Sequence, residues 1–287
     1  LIEKITFRNF NFTGNGGAIY WTGSNGILQN CNFNNNIGYN GGAVCWWSHN
    51  GTLTTSTFTD NKAVNNDGGA IYWHGNNGSL TGSTFSSNTA NNVGGAISWD
   101  GVNGTLTTST FTKNTANKFT GGAIQWWSNN GAIINSTFIS NVANQHGGAV
   151  SWYGPKGTIK NSIFTNNKAK ANAGAILWNG ANGTLIDSTF TSNTAQHGGA
   201  ILWGTANGII IGSIFTSNTV TGNGGSIFWG AANGTIISCN FNNTKWTTSN
   251  GIYTNDLNIV GGKGIVDINT QGTLSGISLI ILNNETY

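Results

Sequence analysis

The chain has 287 residues, of which only 7% are charged, with eight acidic and eleven basic side chains and a formal net charge of +3. A single arginine, Arg8, and scattered lysines exclude the clustered positive charge that neutralises nucleic-acid phosphates, and no run of apolar residues is long enough to encode a membrane-spanning helix. Forty-four glycines, one proline and abundant Asn, Ser and Thr describe a turn-rich all-β protein.

Residues 1–10 read as the tail of a repeat unit, with Phe7 nine residues before Gly16. The phrase GGAIYW at 16–21 then returns with small changes along the chain. Its alanine falls at Ala18, Ala43, Ala70, Ala96, Ala123, Ala149, Ala175 and Ala200, with Ser226 in its place at the end, at intervals of 25 to 27 residues. A period of this size with no helical pattern between markers means an array of strand-and-turn units. In each unit a tryptophan (Trp21, Trp46, Trp73, Trp99, Trp126, Trp152, Trp178, Trp203, Trp229) precedes a glycine by five residues, and a phenylalanine follows that glycine by seven. The glycine follows Asn in eight units and Lys156 in one, a turn that accepts positive φ. All variation in length lies between the Phe and the next Gly-Gly, a gap of 8, 9 or 10 residues. Identical strands at a constant interval, with one free corner, describe a right-handed parallel β-helix, a solenoid of about ten rungs of about 26 residues.

Alternation assigns the faces. Ile or Val and Trp of the phrase point in, as do the Leu/Ile column from Leu28 to Ile236, the Ser column and the Phe column. The variable column Tyr20, Cys45, Tyr72, Ser98, Gln125, Ser151, Leu177, Leu202, Phe228 points out. Cys31 and Cys239 share the inward Ser column eight rungs apart and Cys45 faces outward, so no two cysteines pair. Nine N-x-S/T sequons fit an extracellular glycoprotein, although five of them are also NGT or NGS turns. Regular rungs occupy 1–241. A long connecting loop with Trp246 follows at 242–263, and 264–287 is a degenerate terminal rung in which Gly264, Ile265, Gly272, Leu274 and Leu279 keep marker positions and Asp267 replaces Trp.

The tetrapeptides G-G-A-[IV], as at 16–19, 68–71 and 198–201, and F-x-x-N, as at Phe58/Asn61 and Phe190/Asn193, resemble the paired motifs of chlamydial polymorphic outer-membrane proteins. They are similar as well to those of the adhesin-like surface proteins of methanogenic archaea. The Asn-rich, charge-poor style and the lack of an autotransporter barrel in this chain lean to the archaeal side. The resemblance implies a β-helix displayed on a cell surface, used for adhesion or as an envelope coat, with a glycan or a surface protein as partner.

Enzymatic β-helices that cleave polysaccharides need clustered carboxylates, for Ca²⁺ or as an acid/base pair. Here Asp60, Asp100 and Asp187 fall in different columns, and Asp67 lies in a variable loop close in sequence to Asp60, so the chain reads as a non-enzyme with no cofactor or metal. His74 and Asp100 share a column on adjacent rungs and can hydrogen-bond, and His146 and His197 are two rungs apart with Asn172 between them, a poor metal site. Outward threonines at 52–54, 79–81 and 105–107 are the feature an ice-binding β-helix uses, but the array ends at Ala132 and Ile134. The candidate ligand face is therefore Tyr20, Trp47, Tyr72, His74, Asp100, Trp127 and Tyr153, exposed aromatics beside polar groups. A second, apolar strip of Leu177, Leu202, Phe228, Ile186, Ile211 and Ile237 is expected to be covered by an adjoining domain, the 242–263 loop or another copy of the chain.

Overall fold

The computed structural model describes residues 1–242, 251–265 and 267–275, with side chains through Phe241. The chain is a right-handed parallel β-solenoid of about nine turns, with no helix among the described residues. A turn carries four short strands. In one of them these are Val44–Trp46, Thr52–Thr54, Thr57–Thr59 and Lys62–Ala63, referred to below as the Trp, Leu, Phe and Ala strands. Each pairs in parallel with its counterpart one repeat on, so that Trp46 lies opposite Trp73, Leu53 opposite Leu80, Phe58 opposite Phe85 and Ala63 opposite Ala90.

This register stacks like on like. The tryptophans of the inward column, Trp46 through Trp229 at one per rung, are fully buried, and neighbouring indoles lie 4.6 to 5.2 Å apart with planes within 10°. The phenylalanines form a second column at 4.6 to 5.0 Å. Offset-stacked rings at this distance add about 0.5–1.5 kcal/mol per pair beyond the area they bury. The glycine five residues after each Trp lies against the indole edge: a Cβ on Gly104 would sit 2.3 Å from Nε1 of Trp99. Positive φ at that turn falls on the preceding residue, as at Asn103 (56°) and Lys156 (58°), so the Asn bends the chain and the Gly makes room for the indole.

Two buried polar ladders line the same interior. Each Ser of the inward column donates to the carbonyl two residues back and accepts a backbone N–H from the previous rung, as Ser136 does from Ser109 at 3.2 Å. Cys31 and Cys239 occupy two positions of this column, buried, with Cys31 Sγ 3.2 Å from the Gln29 carbonyl. The Asn of F-x-x-N is the larger surprise, because it is fully buried from Asn36 to Asn218. Oδ1 of Asn141 accepts both the backbone N–H and the side-chain amide of Asn114, while its own amide donates to the Phe111 carbonyl and to Asn167. The ladder closes the corner after the Phe strand with every polar group paired.

One expectation fails. The variable column of the Trp strand is not a bare outer face: Cys45, Ser98, Gln125 and Ser151 are completely buried. The corner that precedes each Gly-Gly folds across it, with Thr120 donating to Gln125 Oε1 and the first glycine of the pair against the strand backbone. Cys45 thus points away from the Trp core yet meets no solvent, and burial, then the charge of Asp100, pushes its thiol up to about 12.

At the far end, Gly251–Ile265 falls largely in the stretch read above as a connecting loop. Its backbone is extended and pairs in parallel with Ile227–Trp229 and Gly234–Asn242, Ile252 opposite Ile227 and Ile259 opposite Ile236. Asp267–Ser275 pairs with it in turn, placing Leu274 opposite Leu257. Trp246 and Leu279 lie outside the described residues.

Candidate functional site

The residue immediately after each core Trp leaves the strand on the outer side, and parallel pairing lines these residues up along the rod. Trp47, His74, Asp100, Trp127 and Tyr153 each donate a backbone N–H to the Trp carbonyl of the previous rung, which fixes five consecutive rungs in one column. Trp47 stacks on His74 at 4.2 Å and Trp127 on Tyr153 at 4.9 Å. Trp47 and Trp127 are 43% and 44% exposed, a large aromatic surface to leave in water.

Between the two aromatic pairs lies Asp100. Tyr72, one rung earlier in the variable column, donates its hydroxyl to Asp100 Oδ2 at 2.5 Å, and His74 Nδ1 stands 3.8 Å from the same oxygen, an ion-pair distance rather than the hydrogen bond expected from sequence. Burial raises the pKa of Asp100 against the opposing effect of these partners, and burial with the Asp100 bond drives the Tyr72 phenol up as well. Asp67, in the corner that overhangs this face, is held up at about 6, mainly by burial and in part by the charge of Asp100. The carboxylate that Asp67 senses is thus Asp100, two corners away in sequence, and not Asp60, which is exposed on its own turn. Sequence spacing could not reveal this, because it depends on how far the free corner folds over the Trp strand.

Of the seven residues predicted for this face, Tyr20, Trp47, Tyr72, His74 and Asp100 form one connected group, Tyr20 joining through a tilted 6.5 Å contact with Trp47. Trp127 and Tyr153 form a second group in the same column. The apolar strip resolves into two columns on different strands: Leu177, Leu202 and Phe228 in register on the Trp strand, and Ile186, Ile211 and Ile237 on the Leu strand. Leu177 is buried at 4% exposure, the other five are half-buried, and Phe228 meets the ring edge of His197 at 5.9 Å. His146, Asn172 and His197 do adjoin through backbone bridges, with the Nδ1 of each histidine accepting an N–H from the next rung, so those nitrogens are already engaged. On the Leu strand Thr54, Thr81 and Thr107 stand in register, Thr81 and Thr107 hydroxyls 2.9 Å apart, and Ile134 continues the column.

A parallel β-helix built from F-x-x-N and G-G-A-[IV] units, with a stacked aromatic column outside, defines a class of β-solenoid repeat protein. The Chlamydia polymorphic membrane protein repeat matches residues 55–72, 82–98 and 187–202, each span running from a Phe strand across the corner into the next Trp strand, so in these repeats the chain is similar to those proteins. No curated protein matches it. Two solved structures share its fold. One is a PL6 alginate lyase in complex with a trisaccharide, 14% identical with a TM-score of 0.61 over 90% of this chain and 56% of that one. The other is the alginate lyase AlyF-OU02, 13% identical with a TM-score of 0.56 over 91% of this chain and 56% of that one. The chain spans little more than half the length of either lyase.

Proposed function

We propose that this chain is the β-helix of an adhesin-like protein displayed on the outer surface of a cell, and that it binds a glycan or a surface protein through the Trp47–Tyr153 column. The observation that carries the reading is the pairing of Trp47 with His74 and of Trp127 with Tyr153 in the open, on a scaffold that buries its other tryptophans from Trp46 to Trp229. Rigid rings supply contact area at small entropic cost, and the polar groups beside them supply direction. In the same reading, the half-buried columns Leu202–Phe228 and Ile211–Ile237 are where a second copy or an adjoining domain packs.

A glycan and cell-surface-protein array, read with the wild-type chain and Trp47→Ala/Trp127→Ala, tests the assignment. Loss of every hit in the double variant supports it, and unchanged binding places the ligand elsewhere on the rod. Polysaccharide cleavage is a second reading, favoured by Asp67 and Asp100 sharing one neighbourhood with raised pKa values. Turnover of alginate or another polymer that disappears in Asp100→Asn would establish it in place of adhesion.

A further inference from the structure

The two aromatic pairs of the outer column are separated by one rung, and that rung is Asp100. His74 and Trp127 are therefore two rung spacings apart, about 9.6 Å along the rod. Each of these rings stacks on a neighbour displaced along the rod, Trp47 for His74 and Tyr153 for Trp127, so their faces are turned along the axis and towards each other. The result is a slot with aromatic walls. Its floor is polar: the Asp100 side chain is 24% exposed, with Oδ1 enclosed and Oδ2, 3.8 Å from His74 Nδ1, accepting the Tyr72 hydroxyl.

The dimensions select a shape. A saturated ring in contact with both walls needs about 3.5–4.0 Å on each side, hence about 7–8 Å in all, and the remainder accommodates its pucker. A second ring would not fit beside it. The chemistry selects further. A carboxylate oxygen with a free lone pair accepts a hydroxyl proton in a charge-assisted hydrogen bond, whereas a ligand carboxylate placed there meets Asp100, with Asp67 close enough to feel the same charge.

We infer that the slot over Asp100 seats a single pyranose ring of an uncharged glycan, stacked between His74 and Trp127 with a hydroxyl donating to the Asp100 carboxylate, and that it discriminates against uronate polymers. This rests on the glycan reading of the column and adds to it the class of sugar. Uncharged hexose chains fit such a site and alginate does not, even though two solved structures that share this fold are alginate lyases.

The test is titration of the whole chain with cellohexaose, mannohexaose and maltohexaose as neutral probes and an alginate hexamer as the uronate probe, followed by tryptophan fluorescence and calorimetry. At least one neutral hexamer should bind at least about tenfold more tightly than the alginate hexamer. Trp127→Ala should lose that binding. Asp100→Asn, which keeps an acceptor and removes the charge, should retain the neutral sugar and narrow the difference from alginate, while Asp100→Leu should lose both. All variants are compared by far-ultraviolet circular dichroism and thermal midpoint, so that a folding defect is seen directly; Asp100→Asn keeps the size of the side chain. Alginate bound as tightly as any neutral hexamer overturns the inference. So does neutral binding that survives Asp100→Leu but not Trp47→Ala, an outcome that leaves the aromatic column as the glycan site. Absence of binding to all four probes overturns the slot and the glycan reading together, leaving protein as the partner of the column.

Discussion

A buried asparagine is an expensive residue unless each of its polar atoms finds a partner. Asn141 does so through its neighbours on both sides, and Ser136 satisfies one donor and one acceptor in the adjacent column. Asn141→Ala strands the backbone N–H and one side-chain amide hydrogen of Asn114 in the core and is expected to cost about 3 kcal/mol, while Ser136→Ala, which strands one buried N–H, should cost about 1 kcal/mol. Chemical denaturation of the two variants measures the difference; equal losses would mean that the asparagine ladder fills space and little more. At this scale the sequence was only partly legible. The inward Trp, Leu, Ser and Phe columns follow from alternation. The Asn of F-x-x-N looks like an ordinary turn residue, and the signal that it is not one is its presence after every column Phe from Phe33 to Phe215, a stretch in which the turn asparagine before the Trp-spaced glycine yields to Lys156.

The Gly-Gly corner is where element geometry is decided, and its two glycines have different reasons to exist. The first adopts φ from 61° to 70°, which favours glycine, but one unit places Ala173 there at φ 62° and still folds. The second has no such latitude, because its α-carbon abuts the next rung's backbone: a Cβ on Gly148 would lie 2.1 Å from the Gly174 carbonyl oxygen. Ala173→Gly should therefore stabilise the rod by about 1 kcal/mol by relieving the left-handed alanine. Gly148→Ala should destabilise it by more than about 3 kcal/mol, since two rungs must part to admit a methyl group. Thermal melts of the two variants moving in the same direction would contradict this division of roles. The same corner explains why the candidate site was half legible. Column membership put Trp47, His74, Asp100 and Trp127 together, but the overhang that buries Cys45 and brings Asp67 under the influence of Asp100 arises in the one segment whose length is free.

For the whole molecule, contacts run from each rung to the next, so stability is a chain of nearest-neighbour interfaces. The fold was legible for that reason: a period, two faces and one variable corner determine a solenoid without any long-range pairing having to be guessed. The limit of that legibility came at the end of the rod. Markers around Gly264 suggested one rung, whereas strands at Gly251–Ile265 and Asp267–Ser275 continue the stack two times over, and their irregular spacing hides the period. Nearest-neighbour coupling also dictates where damage hurts. Trp126 stacks at 4.7 Å on both Trp99 and Trp152, while Trp21, at the first complete Trp strand, stacks only on Trp46 among the described tryptophans and is itself half-exposed. Trp126→Ala removes two ring contacts and opens a cavity between halves of the rod. It is expected to cost about 4–5 kcal/mol and to split thermal unfolding into two calorimetric transitions, one for the rungs on each side. Trp21→Ala removes one contact at an end and should lower the midpoint by less, with unfolding still a single transition. Should both variants melt in one step with the same midpoint, the tryptophan column is not what couples the rungs, and the hydrogen-bonded ladders of asparagine and serine carry that coupling instead.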